Sequence, residues 1–325
     1  MTESSPKISV VVPVHNCGST VGKCLDSLIR LDHPSYEAIV VDDGSTDSTP
    51  QICRSYSQIR LISLSKGGPS RARNVGIGMA RGEFVAFTDG DCVVESQWLS
   101  ELEKGFIGPN VAGVGGDQVS PEDDSDAGKL VQEFLRTVGF VADYVKTGTT
   151  LRETRHNPSC NSMYRRRALE EAGGFDENLW PGEDVDLDLK IGRLGYTLMY
   201  NPAAKVAHHR PDTYAKFARM LKRYGAAQGY LVKKYGAFRF IHWVPLALLI
   251  VLLLVVGLSA WNPWLSLSLA APMPLAFAWF LMLTRSAAKS VRFTYFLIIL
   301  LASWNAGFVG SYLTGKPRSI VDNFL

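Results

Sequence analysis

Short apolar runs alternate with amphipathic stretches over the first third of the chain. Ile8 to Val14 is near-continuously apolar and too short for a helix, so it predicts a buried strand. From Thr20 to about Leu31 the apolar residues recur at helical spacing. Strands then follow at Ala38 to Val41, Arg60 to Leu64 and Phe84 to Thr88, with helices over about Ser48 to Tyr56 and Pro69 to Ala80 between them. This βαβ alternation predicts an α/β domain built on a mostly parallel sheet with helices on its faces. Further on, Val185, Leu187, Leu189, Ile191 and Leu194 mark another helix, and a strand is expected after Asn201-Pro202.

The pattern changes near Trp243. Trp243 to Leu283 holds no Asp, Glu, Lys or Arg over 41 residues, and Phe293 to Gly315 holds none over 23. Roughly 20 apolar residues cross a bilayer, so three spans are expected, near 243 to 260, 264 to 283 and 293 to 313. Pro263 and the flanking Trp261 and Trp264 mark the break between the first two. Arg285, Lys289 and Arg292 lie between the second and third spans, which places that loop and the large N-terminal part in the cytoplasm. Lys316 and Arg318 would then lie outside unless the third segment is re-entrant or interfacial. Ile8 to Val14 is too short for the apolar region of a signal peptide, so none is expected. Just before the apolar region, Tyr214 to His242 carries seven Lys or Arg and no acid, with Phe217, Met220, Leu221 and Tyr224 on one helical face. This basic amphipathic segment is expected to lie on an anionic membrane surface, where Arg219 and Arg223 would hold the phosphate of a lipid-linked acceptor or of a donor. The domain boundaries follow: 1–213, 214–242 and 243–325.

Composition sharpens the picture. With 325 residues, 46% apolar and 20% charged, the chain buries a core, and disordered or collagen-like classes are excluded. Residues 1 to 242 carry 29 basic against 30 acidic side chains, and 243 to 325 carry five against one. The soluble part therefore has no basic excess, and a nucleic-acid partner is not expected. Five scattered Cys without a C-x-x-C pair suggest neither a disulfide framework nor a zinc knuckle.

Candidate chemistry sits where strands end. Asp42-Asp43-Gly44 follows the second strand and Asp89-Gly90-Asp91 follows the fourth, at the edge where α/β sheets bind ligands. No G-x-x-x-x-G-K-[ST] or dinucleotide loop is present, which disfavours ATP P-loop and NAD enzymes. Two carboxylates flanking a Gly suit a hard divalent cation shared with phosphates. Glu183-Asp184 opens the later helix, where the helix dipole favours a carboxylate.

Taken in order, Val10-Val11-Val12-Pro13-Val14-His15-Asn16, Val41-Asp42-Asp43-Gly44-Ser45-Thr46-Asp47, Ser70-Arg71-Ala72-Arg73-Asn74-Val75-Gly76, Thr88-Asp89-Gly90-Asp91, Gly173-Gly174-Phe175-Asp176-Glu177 and Gly182-Glu183-Asp184-Val185-Asp186-Leu187 resemble family 2 glycosyltransferases of the GT-A fold, over about residues 7 to 240. His15 stands where the family commonly has Tyr. No Q-x-x-R-W follows Asp184, which argues against a processive polymer synthase. The resemblance implies a Rossmann-like catalytic domain followed by transmembrane helices, a nucleotide-sugar donor, Mg²⁺ or Mn²⁺ as cofactor, and inversion at the anomeric carbon. It implies that Pro13, His15, Asp43, Arg73 and Asp89 line the donor cleft, that Asp91 with Asp89 and His208 holds the metal, that Asp184 is the general base with Glu183 orienting it or the acceptor, and that Asn161 faces the acceptor. The activity expected is transfer of a sugar, most simply from a UDP-sugar, to a membrane-presented acceptor such as a lipid-linked saccharide in cell-surface polysaccharide or glycolipid assembly. A polyprenyl-phosphate monosaccharide synthase and a non-catalytic sugar-nucleotide sensor or scaffold are the alternatives.

Overall fold

The computed structural model describes residues 6–139, 149–262, 264 and 271–315. Backbone contacts divide the chain into two compact units, with the division between Arg210 and Pro211.

Among the described residues the first unit holds nine strands: β1 (Ile8–Val14), β2 (Tyr36–Asp43), β3 (Ile59–Leu64), β4 (Phe84–Phe87), β5 (Cys92–Val94), β6 (Val111–Val119), β7 (Arg152–Thr154), β8 (Ser162–Arg165) and β9 (Thr197–His208). Its helices are α1 (Val21–Ile29), α2 (Thr49–Arg54), α3 (Pro69–Met79), α4 (Trp98–Glu103), α5 (Asp126–Val138), α6 (Arg166–Glu171) and α7 (Glu183–Arg193). The strands form one sheet in the order β3-β2-β1-β4-β8-β6-β9-β5, with β7 added beside β9.

The expectation of a mostly parallel sheet holds only for its first half. β3, β2, β1 and β4 are mutually parallel, whereas β8 runs antiparallel to β4 and β6, and β5 and β7 run antiparallel to β9. The sheet is therefore mixed. Antiparallel neighbours such as β4 and β8 or β9 and β5 need no crossover helix of the βαβ kind, so the alternation visible over residues 8–88 does not continue.

β1 is buried on both faces, which explains why its sequence reads as an apolar run and not as an alternation. Val10, Val12 and Val14 meet Val21, Cys24, Leu25 and Leu28 of α1, while Val11 joins Val85, Phe87, Leu187 and Ile191 on the opposite side. β9 runs through Asn201-Pro202 without ending. Its register against β6 shifts between Gly116 and Asp117, which pair with Asn201 and Lys205. Pro202 lies inside this bulge, where no ladder N–H is required.

The second unit contains α8 (Tyr214–Tyr235), a 3₁₀ turn (Phe240–Trp243), α9 (Val244–Ser259), α10 (Pro272–Thr284) and α11 (Ala287–Thr314). The Thr213 hydroxyl caps α8 by accepting from the Lys216 N–H, and Ser286 caps α11 in the same way. Among the described residues only α11 is long and apolar enough to cross a membrane. α9 and α10 have 16 and 13 residues, about 24 and 20 Å at 1.5 Å per residue against a ~30 Å hydrocarbon core. The three-span expectation is therefore reduced to one qualifying helix. Part of the expected second span (265–270), Pro263, Lys316 and Arg318 lie outside the described residues.

The apolar face of α8 is not open for lipid as its sequence suggested. Phe217 and Leu221 are buried, and the Phe217 ring meets Phe296 of α11 at 5.2 Å. A Cβ added to Gly225 would collide with the Trp304 carbonyl oxygen, and one added to Gly229 with that of Phe308. The two backbones are thus in close contact, an approach only Gly permits. α8 and α11 run parallel, since Tyr214 meets Tyr295 and Lys233 reaches the Leu313 carbonyl.

Candidate active site

Because β1, β2 and β4 are parallel, their carboxyl ends bring His15, Asp43 and the Asp89-Gly90-Asp91 turn to one edge of the sheet. Gly90 is required there: a Cβ would lie 2.7 Å from Val14 Cγ1. α3 then carries Arg73 into the same region. The Arg73 Nη2 donates to Asp89 Oδ1 at 2.7 Å and its Nη1 to Glu183 Oε1 at 2.8 Å. One buried guanidinium thus joins the two acidic clusters that lie 94 positions apart in the numbering from Asp89 to Glu183.

Glu183 and Asp184 begin α7 behind Gly182, whose φ of +101° needs a glycine. Both are buried. Burial and the adjacent Asp184 carboxylate push Glu183 upward, and the Arg73 charge opposes them. Asp184 Oδ1 accepts from the Val185 N–H at 2.8 Å, and Oδ2 from the Ser159 N–H at 3.3 Å. Behind it stand two residues outside the motifs picked out from the sequence. His156 is fully buried, with Nε2 3.8 Å from Asp184 Oδ2 and Nδ1 2.8 Å from Asp188 Oδ2. Asp188 also accepts from the Asn157 N–H and the Tyr164 hydroxyl. Burial raises Asp188, with these three partners working against the rise. The readable signal was the spacing of Asp184 and Asp188, i and i+4 on one helix face.

On the other side, His208 ends β9 directly opposite Cys92 of β5, and its Nε2 lies 3.5 Å from Asp91 Oδ2. Burial opposes both charges, yet the pairing prevails, holding Asp91 at about 2 and raising His208 to about 9. His209 turns away toward Asp123 and Asp124. The adjacent histidines are thereby separated, as alternation along a strand requires. The oxygen donors of Asp89 and Asp91 with an imidazole form a set that suits Mg²⁺ or Mn²⁺. His208 Nδ1 is buried with no hydrogen-bond partner among the described residues, so the ring is not committed to a purely structural role.

The remaining expected residues fall into three groups. Pro13 is buried at the end of β1 beside Val41, and the His15 Nδ1 lies 2.9 Å from the Asp43 carbonyl oxygen. Asp43 is buried and accepts from the Gly67 and Gly68 N–H groups at 2.8 and 2.7 Å, so its carboxylate fixes the loop before α3 instead of facing an open base site. Asn161 is fully buried, donates to the Asp117 and Ala204 carbonyls and accepts from Trp98 Nε1. It is internal and is not presented to an acceptor. Arg219 and Arg223 are exposed on α8, in the second unit.

Residues 9–173 match the family profile described as Glycosyl transferase family 2, just over half of the chain, and the protein belongs to that family. Among curated relatives, the glycosyltransferase AglE of Haloferax volcanii is 32% identical over 207 residues, 62% of this chain and 66% of that protein, a little under two thirds of the relative's length. A Methanococcus voltae enzyme named dolichyl N-acetyl-alpha-D-glucosaminyl phosphate 3-beta-D-2,3-diacetamido-2,3-dideoxy-beta-D-glucuronosyltransferase is 25% identical over 265 residues, 77% of this chain and 81% of the relative. The structure of the Pyrobaculum calidifontis mannosyltransferase PcManGT, solved with GDP-Man and Mn²⁺, superposes with a TM-score of 0.67 over 95% of this chain and 88% of that one, at 21% identity. At that identity the likeness concerns the α/β fold of the GT-A type.

Proposed function

We propose that this protein is a metal-dependent, inverting glycosyltransferase that moves a sugar from a nucleoside-diphosphate donor, most simply a UDP-sugar, to a lipid-linked saccharide at the membrane. The observation that carries the reading is the Asp89–Arg73–Glu183 bridge, which couples the cation-binding turn to the acidic start of α7. In this reading Asp91, Asp89 and His208 hold the cation, which neutralises the diphosphate leaving group. Asp184 accepts the proton of the acceptor hydroxyl as it attacks the anomeric carbon from the face opposite the diphosphate. The Val185 and Ser159 N–H groups orient the Asp184 carboxylate, and His156, braced by Asp188, backs it. Arg73 stands between the Glu183 and Asp89 carboxyl groups and holds both in place. The Pyrobaculum neighbour, crystallised with GDP-Man and Mn²⁺, supports a nucleotide sugar and a divalent cation, and the Methanococcus relative's name supports a lipid-phosphate-linked acceptor.

The second unit would supply the membrane. On α9, Leu246, Leu248, Leu249, Ile250, Val251, Leu253, Leu254, Val256 and Leu258 are 43–61% exposed, an outer surface that water does not tolerate. α11 carries α8 along its flank, so a spanning α11 would place Arg219, Lys222 and Arg223 beside the centre of its uncharged stretch. Each would cost about 2.5–3.5 kcal/mol there. We therefore place the α8–α11 pair at the cytoplasmic interface, basic face toward lipid phosphates, with α9 and α10 dipping into the acyl layer.

The test is a donor screen with the full chain in detergent and then in vesicles. Hydrolysis of one nucleotide sugar, lost in EDTA and in Asp91→Asn, is expected. Transfer to a lipid-linked saccharide and not to bare polyprenyl phosphate would separate the main reading from a monosaccharide-phosphate synthase. Binding of a nucleotide sugar without any turnover would favour a sensor, and hydrolysis undiminished in EDTA would remove the metal.

A further inference from the structure

Beside the cation-binding turn lies a second set of donors, softer in chemistry and unused by the proposed reaction. Cys92 Sγ, Cys160 Sγ and a ring nitrogen of His208 all lie within 4.8 Å of one another. Three separate pieces of the fold converge to place them. Cys92 opens β5 and is paired across the ladder with His208 of β9, so both side chains stand on the same face. Cys160 comes from the loop ahead of β8, held by the Asn161 N–H bond to Pro158 O and the Gly116 N–H bond to Asn161 O. Both cysteines are buried and free. The carboxylate of Asp91 completes the group, with Oδ1 3.7 Å from Cys92 Sγ and Oδ2 3.5 Å from His208 Nε2.

Two thiols, an imidazole and a carboxylate are a tetrahedral donor set of the kind that selects Zn²⁺ over Mg²⁺ or Mn²⁺. With Zn–S near 2.3 Å and Zn–N near 2.0 Å, donors around a tetrahedral ion stand about 3.6–3.8 Å apart. Closing the present spacing therefore takes shifts of about 1 Å or less. The buried His208 Nδ1 lacks a hydrogen-bond partner among the described residues, so the ring has capacity that the sheet does not use. The interior of a reduced protein offers little other reason to gather two thiols against an imidazole, for apolar side chains would fill that volume without a polar penalty.

We infer that Cys92, Cys160, His208 and Asp91 form a binding site for a soft divalent cation, Zn²⁺ in the first instance, that excludes the harder cation from the neighbouring turn. On binding, each thiol and the His208 imidazolium give a proton to solvent, the two sulfurs and the freed ring nitrogen give lone pairs to the metal, and no electron is transferred. His208 and Asp91 cannot serve both ions, so Zn²⁺ occupancy displaces Mn²⁺ and stops transfer. That consequence rests on the glycosyltransferase reading, whereas metal binding itself does not.

Co²⁺ reports the site directly, because thiolate ligation gives an intense sulfur-to-cobalt charge-transfer band that oxygen and nitrogen ligands do not. Titration of the reduced full chain with Co²⁺ should raise this band and added Zn²⁺ should abolish it, while the Cys92→Ser/Cys160→Ser variant should show none. No band in the wild-type protein, or the same band in the double variant, overturns the inference. X-ray absorption on the Zn²⁺-loaded wild type needs no substitution: two sulfur neighbours at about 2.3 Å are expected, and none refutes the site. In Mn²⁺-supported donor hydrolysis, Zn²⁺ should inhibit the wild type and spare the double variant, and equal inhibition of both would overturn the exclusion. If no donor is hydrolysed at all, the functional reading fails and the cobalt band still decides the site.

Discussion

Replacing Asn161 with Ala distinguishes an internal brace from an acceptor contact. The Asn161 side chain sits at the bulge where the β6–β9 register shifts, and its amide supplies hydrogen bonds that the interrupted ladder omits: Nδ2 to Asp117 O at 2.8 Å and to Ala204 O at 3.0 Å. Its Oδ1 accepts from the indole N–H of Trp98 at 2.8 Å, a side chain that is itself fully buried. Asn161→Ala therefore orphans one donor and two acceptors at once. A buried group left unsatisfied costs about 1–3 kcal/mol, and carbonyls with a second lone pair fall at the low end, giving about 4 kcal/mol in all. For a unit of this size each kcal/mol lowers the midpoint by about 2–4 °C, so thermal melting followed by circular dichroism should show a fall of about 8–16 °C. Trp98→Phe takes away the indole N–H together with part of a fully buried ring, so it adds a cavity cost to the lost hydrogen bond; in the Asn161→Ala background the hydrogen-bond share is already gone, and the double variant should cost less than the sum of the two single ones. A variant that melts within about 2 °C of the wild type, with only the acceptor KM raised, would refute the brace and restore Asn161 to the acceptor side.

Three further outcomes are expected. Asp184→Asn should bind the donor's nucleoside diphosphate nearly as the wild type does in calorimetry while turnover drops by about 10²–10⁴, as for a lost general base; loss of binding together with turnover would make the residue structural. Gly225→Val should unseat α8 from α11 at a cost of about 1–3 kcal/mol or more, seen as loss of the Trp304 near-ultraviolet signal, whereas Gly257→Ala on α9, with nothing near its Cβ, should leave that signal unchanged. Glu37 is opposed by burial but held below its ordinary 4.5 by the Ser9 hydroxyl and by Arg81, so its stabilisation is present above about that pH and lost on acidification; the gap in melting midpoint between wild type and Glu37→Gln should close as pH falls through this range, and a gap that stays constant would contradict the assignment.

Elements governed by nearest neighbours were legible in the sequence. β1 was delimited to the residue because an apolar run buried on both sides needs no partner to be recognised, and α3 and α7 carry their start signals locally, Gly68-Pro69 ahead of one and Gly182 with an acidic first turn at the other. The antiparallel half of the sheet was not, because β5, β7 and β8 are three or four residues long and too short for any period to show. The site divides along the same line. Asp89, Asp91, Glu183 and Asp184 stand at element ends that the pattern marks. Arg73 could be listed with the donor cleft, but its role as the link between Asp89 and Glu183 depends on a convergence that spacing does not encode. The same holds for His156 against Asp188, and for Cys160 against Cys92 and His208, where each partner comes from a different element.

The basic helix shows where such reading stops in physical terms. Periodicity assigned α8 an apolar face and a basic one, and both exist, with Phe217 and Leu221 buried and Arg219, Lys222 and Arg223 exposed. Amphipathicity says that a face must be covered and is silent on what covers it. Here the cover is α11, admitted by Gly225 and Gly229 at four-residue spacing and by Gly307 opposite, where an added Cβ would collide with the Lys222 carbonyl oxygen. That spacing stood in the sequence as a sign of close helix contact. Once α11 is taken as the partner, a 28-residue apolar helix no longer implies a crossing, because the charges it carries on its flank belong in headgroups and not in hydrocarbon. Vesicle flotation follows from this: binding should strengthen with anionic lipid and weaken when Arg219, Lys222 and Arg223 become Gln, each charge contributing about 1 kcal/mol. A helix that truly crosses would instead hold the protein equally on neutral vesicles, and the Gln variant would insert more readily, not less.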